Sequence, residues 1–184
     1  HRPRHAAPRC RRGHGGRIRI QSEPDAEYVK FWDIGRHKDA EQEELMLGPA
    51  RDLGLAIYGA RWDDTPWAPW WKGPLPVGRE ASLYHSCRVV LGMTEREQAR
   101  AGMINNRPFD ALAAGAACIM PHFPALEALF GDRLLYTTSP TETRRLIEGV
   151  LDGTIRPPDA REWIMAQHTY RHRAEQLLGL LTRL

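Results

Sequence analysis

Short unbroken apolar runs alternate along this chain with stretches in which apolar residues recur every three or four positions. Runs of four to seven residues closed by Gly or Pro read as strands covered on both faces, and the longer periodic stretches as helices packed against them. The pattern predicts strands over Tyr28 to Ile34, Leu55 to Tyr58, Arg88 to Leu91, Ala116 to Met120 and Leu134 to Tyr136. Helices are predicted over about Asp39 to Leu47, Arg79 to His85, Asn106 to Ala114, Ala125 to Phe130, Ser139 to Leu151 and Asp159 to Thr182. Strand alternating with helix specifies an α/β fold with a parallel, doubly wound, Rossmann-like sheet.

The boundary residues agree with these spans. Glu residues crowd the start of the first helix, as the helix dipole favours, and Gly48-Pro49 interrupts its end. Asn106 is a good helix cap, Pro108 suits a first turn, and Gly115 can take the left-handed conformation that stops a helix. Ser139-Pro140-Thr141-Glu142 carries a capping-box pattern, and Gly153 ends the helix it opens. In that helix Leu146, Ile147, Val150 and Leu151 form the buried stripe. In the last one Trp163, Ile164, Tyr170, Ala174, Leu177, Leu178 and Leu181 are expected to face inward. Met93 to Asn105 reads as a loop.

Composition bounds the class. The 184 residues suffice for one domain with a real core, and 42% hydrophobic with 27% charged content fits a globular protein. No run approaches the roughly 18 apolar residues of a membrane span. Cys10, Cys87 and Cys118 form no C-x-x-C pair, so neither a disulfide framework nor a zinc ribbon is indicated, and a cytoplasmic setting is expected. The +3 net charge is a misleading average. Residues 1–20 hold seven Arg and no acid, which leaves 19 basic against 23 acidic residues, about −4, in the rest. Residues 1–24 are expected to be a basic, disordered arm and residues 25–184 the folded domain.

Candidate chemistry concentrates between Asn105 and Met120, which reads as loop, short helix, tight turn and buried strand. The first amides of that helix are suited to an anion, and Asp110 sits one turn in, where a carboxylate can accept from sugar hydroxyls. Any α/β domain contains such a unit, so spacing alone leaves a purely structural role open. Gly13-His14-Gly15-Gly16 precedes a strand-like run instead of following one, which excludes a dinucleotide fingerprint. Arg61 to Lys72 holds four of the six Trp, placed either to stack on a sugar or partner or to cap one end of the sheet. His168 and His172 share a helix face without a third ligand at metal spacing, so no metal site is expected. His168 and Arg171 read instead as anchors for the last helix.

Asn105 to Ala116, Asn-x-Arg-Pro-Phe-Asp-Ala-Leu-Ala-Ala-Gly-Ala, resembles the donor-site signature of retaining glycosyltransferases of GT-B fold, and most closely the spore-maturation-protein-like group of the "glycosyl transferases group 1" family. Phe123 to Phe130 and His168 to Ala174 are similar to further stretches of that group. The resemblance runs from about Tyr28 to Leu184 and covers only the donor-binding half of such an enzyme. It implies that Asn105, Asn106, Arg107 and Asp110 bind the phosphate, ribose and sugar of a nucleotide-sugar donor. It also implies that Leu75 and Pro76 line the base pocket and that Arg36 and Lys38 grip the diphosphate and serve catalysis; on residue type alone those two cations are equally solvated turn charges. The family pairs two acids eight apart: Asp110 matches the second, whereas Gly102 occupies the position of the first. No D-x-D motif occurs, which argues against the other main, metal-using glycosyltransferase fold.

The expected function is donor binding for sugar transfer, inactive without an N-terminal acceptor domain, with a nucleotide-diphosphate sugar as substrate and no cofactor. Whether the chain alone is an enzyme stays open. Two alternatives belong to the binding class: a non-catalytic nucleotide or sugar-phosphate module, and nucleic-acid binding through the Arg-rich arm, which the arm's lack of aromatic patterning disfavours.

Overall fold

The structure, a computed structural model, describes residues 29–33 and 39–183. Five parallel strands form one sheet in the order β2-β1-β3-β4-β5. They are β1 (Val29–Asp33), β2 (Leu55–Gly59), β3 (Val89–Leu91), β4 (Ala117–Pro121) and β5 (Leu135–Thr137). Val29 sits in register with Leu55 on one side and Val89 on the other, Val90 with Cys118, and Met120 with Tyr136. All five predicted strands are present within a residue or two.

Helices cover both faces, so residues of both parities along a strand are buried. Val89, Leu91, Ala117 and Ile119 point into one core, with Met46, Leu47, Leu146, Ile147, Val150 and Leu151. These come from α1 (Ala40–Met46), the residue after it, and α6 (Pro140–Asp152). Val90, Cys118 and Met120 point into the other, with Tyr84, Ala111, Leu112, Leu126, Phe130 and Ile164. Those come from α2 (Glu80–His85), α4 (Arg107–Ala113), α5 (Pro124–Phe130) and α7 (Arg161–Gln167). Burying a Leu or Ile side chain contributes roughly 1.5–3 kcal/mol, so these two layers carry the fold.

Several helix ends form as their residues dictate. The Asp39 carboxylate accepts from the Gln42 amide at the start of α1 at 3.1 Å. Ser139 Oγ accepts from the Glu142 amide, and Gly153 closes α6 at φ +83°. Gly115 takes φ +80° in the tight turn after α4.

Four expectations are corrected. The loop after β3 contains a short helix, α3 (Arg96–Arg100), whose single apolar residue, Ala99, is too little to show an apolar period. The last helix is two, α7 and α8 (Tyr170–Leu181), because Thr169 is extended and begins α8, its amide donating to His172 Nδ1. Ile164 is buried as expected, but Tyr170, Ala174, Leu177, Leu178 and Leu181 are exposed, so the apolar stripe of α8 faces away from the described domain. Arg171 is no anchor: it pairs with Glu175 on its own helix. His168 does pack inward, its ring 4.0 Å from that of Trp163 and 5.9 Å from that of Phe109.

Three of the four clustered indoles are tied into the fold through their ring N–H. Trp67 donates to the buried Glu43 carboxylate, Trp70 to the Arg51 carbonyl and Trp71 to the Gly59 carbonyl, each at 2.8–2.9 Å. The fourth, Trp62, is fully buried. Of the two roles open to this loop, packing against one end of the sheet is the one the contacts describe. Among the described residues no helix is long and apolar enough to cross a membrane.

Candidate functional site

The strand order reverses between β1 and β3: β2 lies on one side of that pair, β4 and β5 on the other. Open α/β sheets take ligands at the carboxyl ends of their strands, at such a switch. The loop leaving β3 there forms one wall of a cavity of about 1120 Å3, through Met93 and Glu95. The start of α4 supplies Asn105, Asn106, Arg107 and Asp110, α2 supplies Glu80, Ser82 and His85, and Arg161 and Tyr170 complete the lining. All four donor-binding candidates of the Asn105 to Ala116 motif thus reach one cavity.

Their side chains are held by specific bonds. Asn105 Nδ2 donates to the Met93 carbonyl at 2.6 Å and to Thr94 Oγ1 at 3.1 Å, while its Oδ1 accepts from the Arg107 amide. Arg107, a buried cation, donates through Nη1 to the same Met93 carbonyl at 3.1 Å. Asn106 Nδ2 donates to the Tyr170 hydroxyl at 2.7 Å. The side chain that caps α4 is therefore Asn105 and not Asn106, which makes no capping bond. The Arg107 amide is used by Asn105, Pro108 has none, and the Asp110 amide donates to the Asn106 carbonyl. The mouth of α4 accordingly offers an anion fewer amides than the sequence suggested.

Asp110 is half-buried, and its carboxyl is shifted above the usual carboxylate range by burial and then by the charge of Glu80, with Arg107 opposing. Burial pushes the neighbouring Tyr84 phenol up to about 12, again against the pull of Arg107. A partly desolvated carboxylate at a cavity wall is suited to accept from paired hydroxyls, and the buried Arg107 guanidinium partly offsets its charge.

Leu75 and Pro76 do not line this cavity. Their loop is pinned along β2, where Lys72 donates to the Ile57 carbonyl and the Gly73 carbonyl accepts from Gly59, and it reaches the cavity only at Gly78 and Glu80. Arg36 and Lys38 lie outside the described residues. The residue that follows them, Asp39, is held from across the switch point: Arg96 Nε donates to its Oδ2 at 2.7 Å and also pairs with Glu41. Burial alone would raise the Asp39 carboxyl, but the Gln42 amide and Arg96 outweigh it and hold it below its ordinary value.

Glu80, Glu95 and Tyr170 are cavity residues the sequence reading missed. Only Tyr170 carried a signal, since it lies in the His168 to Ala174 stretch, where helical spacing assigned it to the core.

Known structures share this architecture. A mutant of T4 phage BGT in complex with UDP-glucose superposes with a TM-score of 0.52 at 14% identity, over 77% of this chain and 42% of that one. The GtfA/B complex gives 0.53 at 13% identity, over 88% of this chain and 37% of that one. The chain therefore spans less than half the length of these structures, and its fold is the Rossmann-like half of a GT-B glycosyltransferase. No curated protein matches in sequence. The model of one family, described as glycosyl transferase-like, matches residues 36–179. With most of its length matched, the chain belongs to the glycosyl transferase-like family.

Proposed function

We propose that this chain is the donor-binding half of a sugar transferase, holding a nucleoside-diphosphate sugar in the cavity beside the β1–β3 switch. The reading is carried by one observation: Asn105, Asn106, Arg107 and Asp110 meet at a single cavity at the carboxyl edge of the sheet. Asp110 accepts from the ribose hydroxyls. Asn105 and Arg107 shape the mouth of α4 by fixing Met93, and the Arg107 cation favours phosphate. Arg36 and Lys38 neutralise the diphosphate as the bond from its oxygen to the sugar's anomeric carbon breaks, which is where charge develops in transfer. The donor needs neither metal nor a further cofactor. UDP-glucose bound to the T4 phage protein of similar fold supports a nucleotide sugar as the ligand class.

The spore-maturation-like group is the subgroup whose motif fits best, and residues 25–184 are the functional domain of a cytoplasmic protein. An acceptor domain completes the site. Transfer by the isolated chain is accordingly weak or absent. A thermal-shift titration with UDP, GDP and ADP tests the binding claim. A diphosphate at a hundred times its dissociation constant adds about 2.7 kcal/mol of stability, and Asp110→Ala removes most of that gain. No shift with any diphosphate in the wild-type chain overturns the reading.

A further inference from the structure

Behind the Asn106–Tyr170 hydrogen bond lies a second cavity, of about 530 Å3, in the size range of sites for small organic ligands. It shares Asn106, Asp110, Ala113 and Tyr170 with the larger cavity, so those residues form the partition between the two. Its apolar lining is Ile104, Phe109, Leu129, Ile164 and the half-exposed Met165. The polar groups on this surface are the Asp110 carboxylate, Asn106, the Thr169 hydroxyl, His168 and Arg173, whose guanidinium lies 5.6 Å from the centre of the Phe109 ring and contacts His168 Nδ1 at 3.2 Å.

This mixture narrows the ligand. A wholly apolar guest would cover the Asp110 carboxylate without giving it a hydrogen bond, a costly burial. An anion would meet Arg173 but also the Asp110 carboxylate, which already lies near Glu80. A ring with hydroxyls on its edge and C–H groups on its face meets these demands: hydroxyls donate to Asp110 and accept from Arg173, and the C–H face lies on the apolar lining of Ile104, Leu129 and Met165. We infer that the second cavity binds a saccharide, and that it does so separately from the nucleotide. This deepens the donor-binding reading, on which the saccharide's role as acceptor rests: it puts a saccharide subsite on this half of the enzyme, with Tyr170 and Asn106 between it and the donor.

Met165 gives a clean test, because it lines only the second cavity and is 52% exposed, so Trp there fills the cavity without disturbing the core. Saturation-transfer NMR on the full chain with glucose, galactose and N-acetylglucosamine is expected to show binding of at least one sugar. That signal survives excess nucleoside diphosphate and falls at least tenfold in affinity in Met165→Trp. No saccharide signal, a signal abolished by the diphosphate, or one unchanged in Met165→Trp overturns the inference. Thermal shifts with the diphosphates on the same samples read the larger cavity alone. A saccharide signal without a diphosphate shift therefore overturns the nucleotide site and keeps this one, and the converse overturns this one only.

Discussion

Asn105 and Arg107 donate to the same oxygen, the Met93 carbonyl, at 2.6 and 3.1 Å. Two donors from the start of α4 therefore fix the backbone two residues beyond β3, where the strand order reverses. These contacts join the edge of the sheet to the mouth of α4, the two walls of the larger cavity.

Asn105→Ala removes the donor to Met93 and Thr94 and the acceptor of the Arg107 amide together. Each part-buried bond is worth about 1 kcal/mol net, so the expected loss is roughly 1–3 kcal/mol by urea unfolding. Asn105→Asp keeps the acceptor, loses the donors, and falls between the two. A stability equal to wild type in Asn105→Ala would mean that this junction is not what holds the loop.

Asp110→Asn separates stability from binding. Burial and Glu80 raise the folded-state pKa of Asp110, so between the unfolded and folded values the folded protein holds more protons than the unfolded one. The stability this group contributes falls as pH rises through that window and is lowest above the folded value. Asp110→Asn is therefore expected to raise the melting temperature at pH 7 and to flatten the decline just above pH 3.8, while losing the shift with nucleoside diphosphates. A neutral-pH melting temperature below wild type would contradict the assigned environment.

β2, β3 and β4 were legible because each is a short apolar run stopped by Gly or Pro, and burial on both faces leaves little else for such a run to do; β1, with Lys30 and Asp33, and the half-buried β5 rested on weaker apolar stretches. The motif from Asn105 to Asp110 was legible as a unit. The division of labour inside it was not: which Asn caps α4 depends on the position of Met93, a contact between residues 12 apart. α3 was missed because in Arg96–Arg100 only Ala99 packs against the core, and one apolar residue shows no period. The error over α8 was of another kind. Its spacing correctly shows an apolar stripe, but periodicity says only that a face should be covered, not that this domain covers it.

Gly92, one residue after β3, sits where a side chain has no room. A Cβ there would fall 2.1 Å from Met120 Sδ and 3.3 Å from Arg107 Cδ. Met120 is fully buried, so it yields only by repacking the core beneath α4. Gly92→Ala is expected to destabilise the protein by about 1–3 kcal/mol, the usual cost of overpacking. Met120→Ala in the same chain should recover part of that loss by double-mutant cycle, and additivity of the two would refute the steric explanation.

Arg96 is the described link across the switch point, from α3 to the Asp39 cap that follows Arg36 and Lys38. The pair is substantially exposed, so Arg96→Ala should change stability by no more than about 1 kcal/mol. If the cations before Asp39 meet the diphosphate, losing the tether removes pre-ordering worth roughly 1 kcal/mol, about fivefold in diphosphate affinity. Arg96→Lys keeps the charge without the two-pronged contact and should recover only part of it. Unchanged affinity in Arg96→Ala, measured by calorimetry, would remove the tether from the site.

Trp67→Phe decides the role of the indole-rich loop. The Trp67 ring N–H donates at 2.9 Å to Glu43, a carboxylate only 7% exposed, so the substitution keeps an aromatic ring while removing a donor from a buried charge. Hydrogen bonds to charged groups contribute about 1.5–3 kcal/mol, and a loss of that size is expected. Neutralising the acceptor as well, in Trp67→Phe with Glu43→Gln, should return a good part of it, because an uncharged amide tolerates burial better than a carboxylate. Neither chain should change its affinity for nucleoside diphosphates or for sugars, since Trp67 lines neither cavity. If Trp67→Phe instead weakened saccharide binding at unaltered stability, the indoles would be a stacking platform and the packing role argued from their hydrogen bonds would fall.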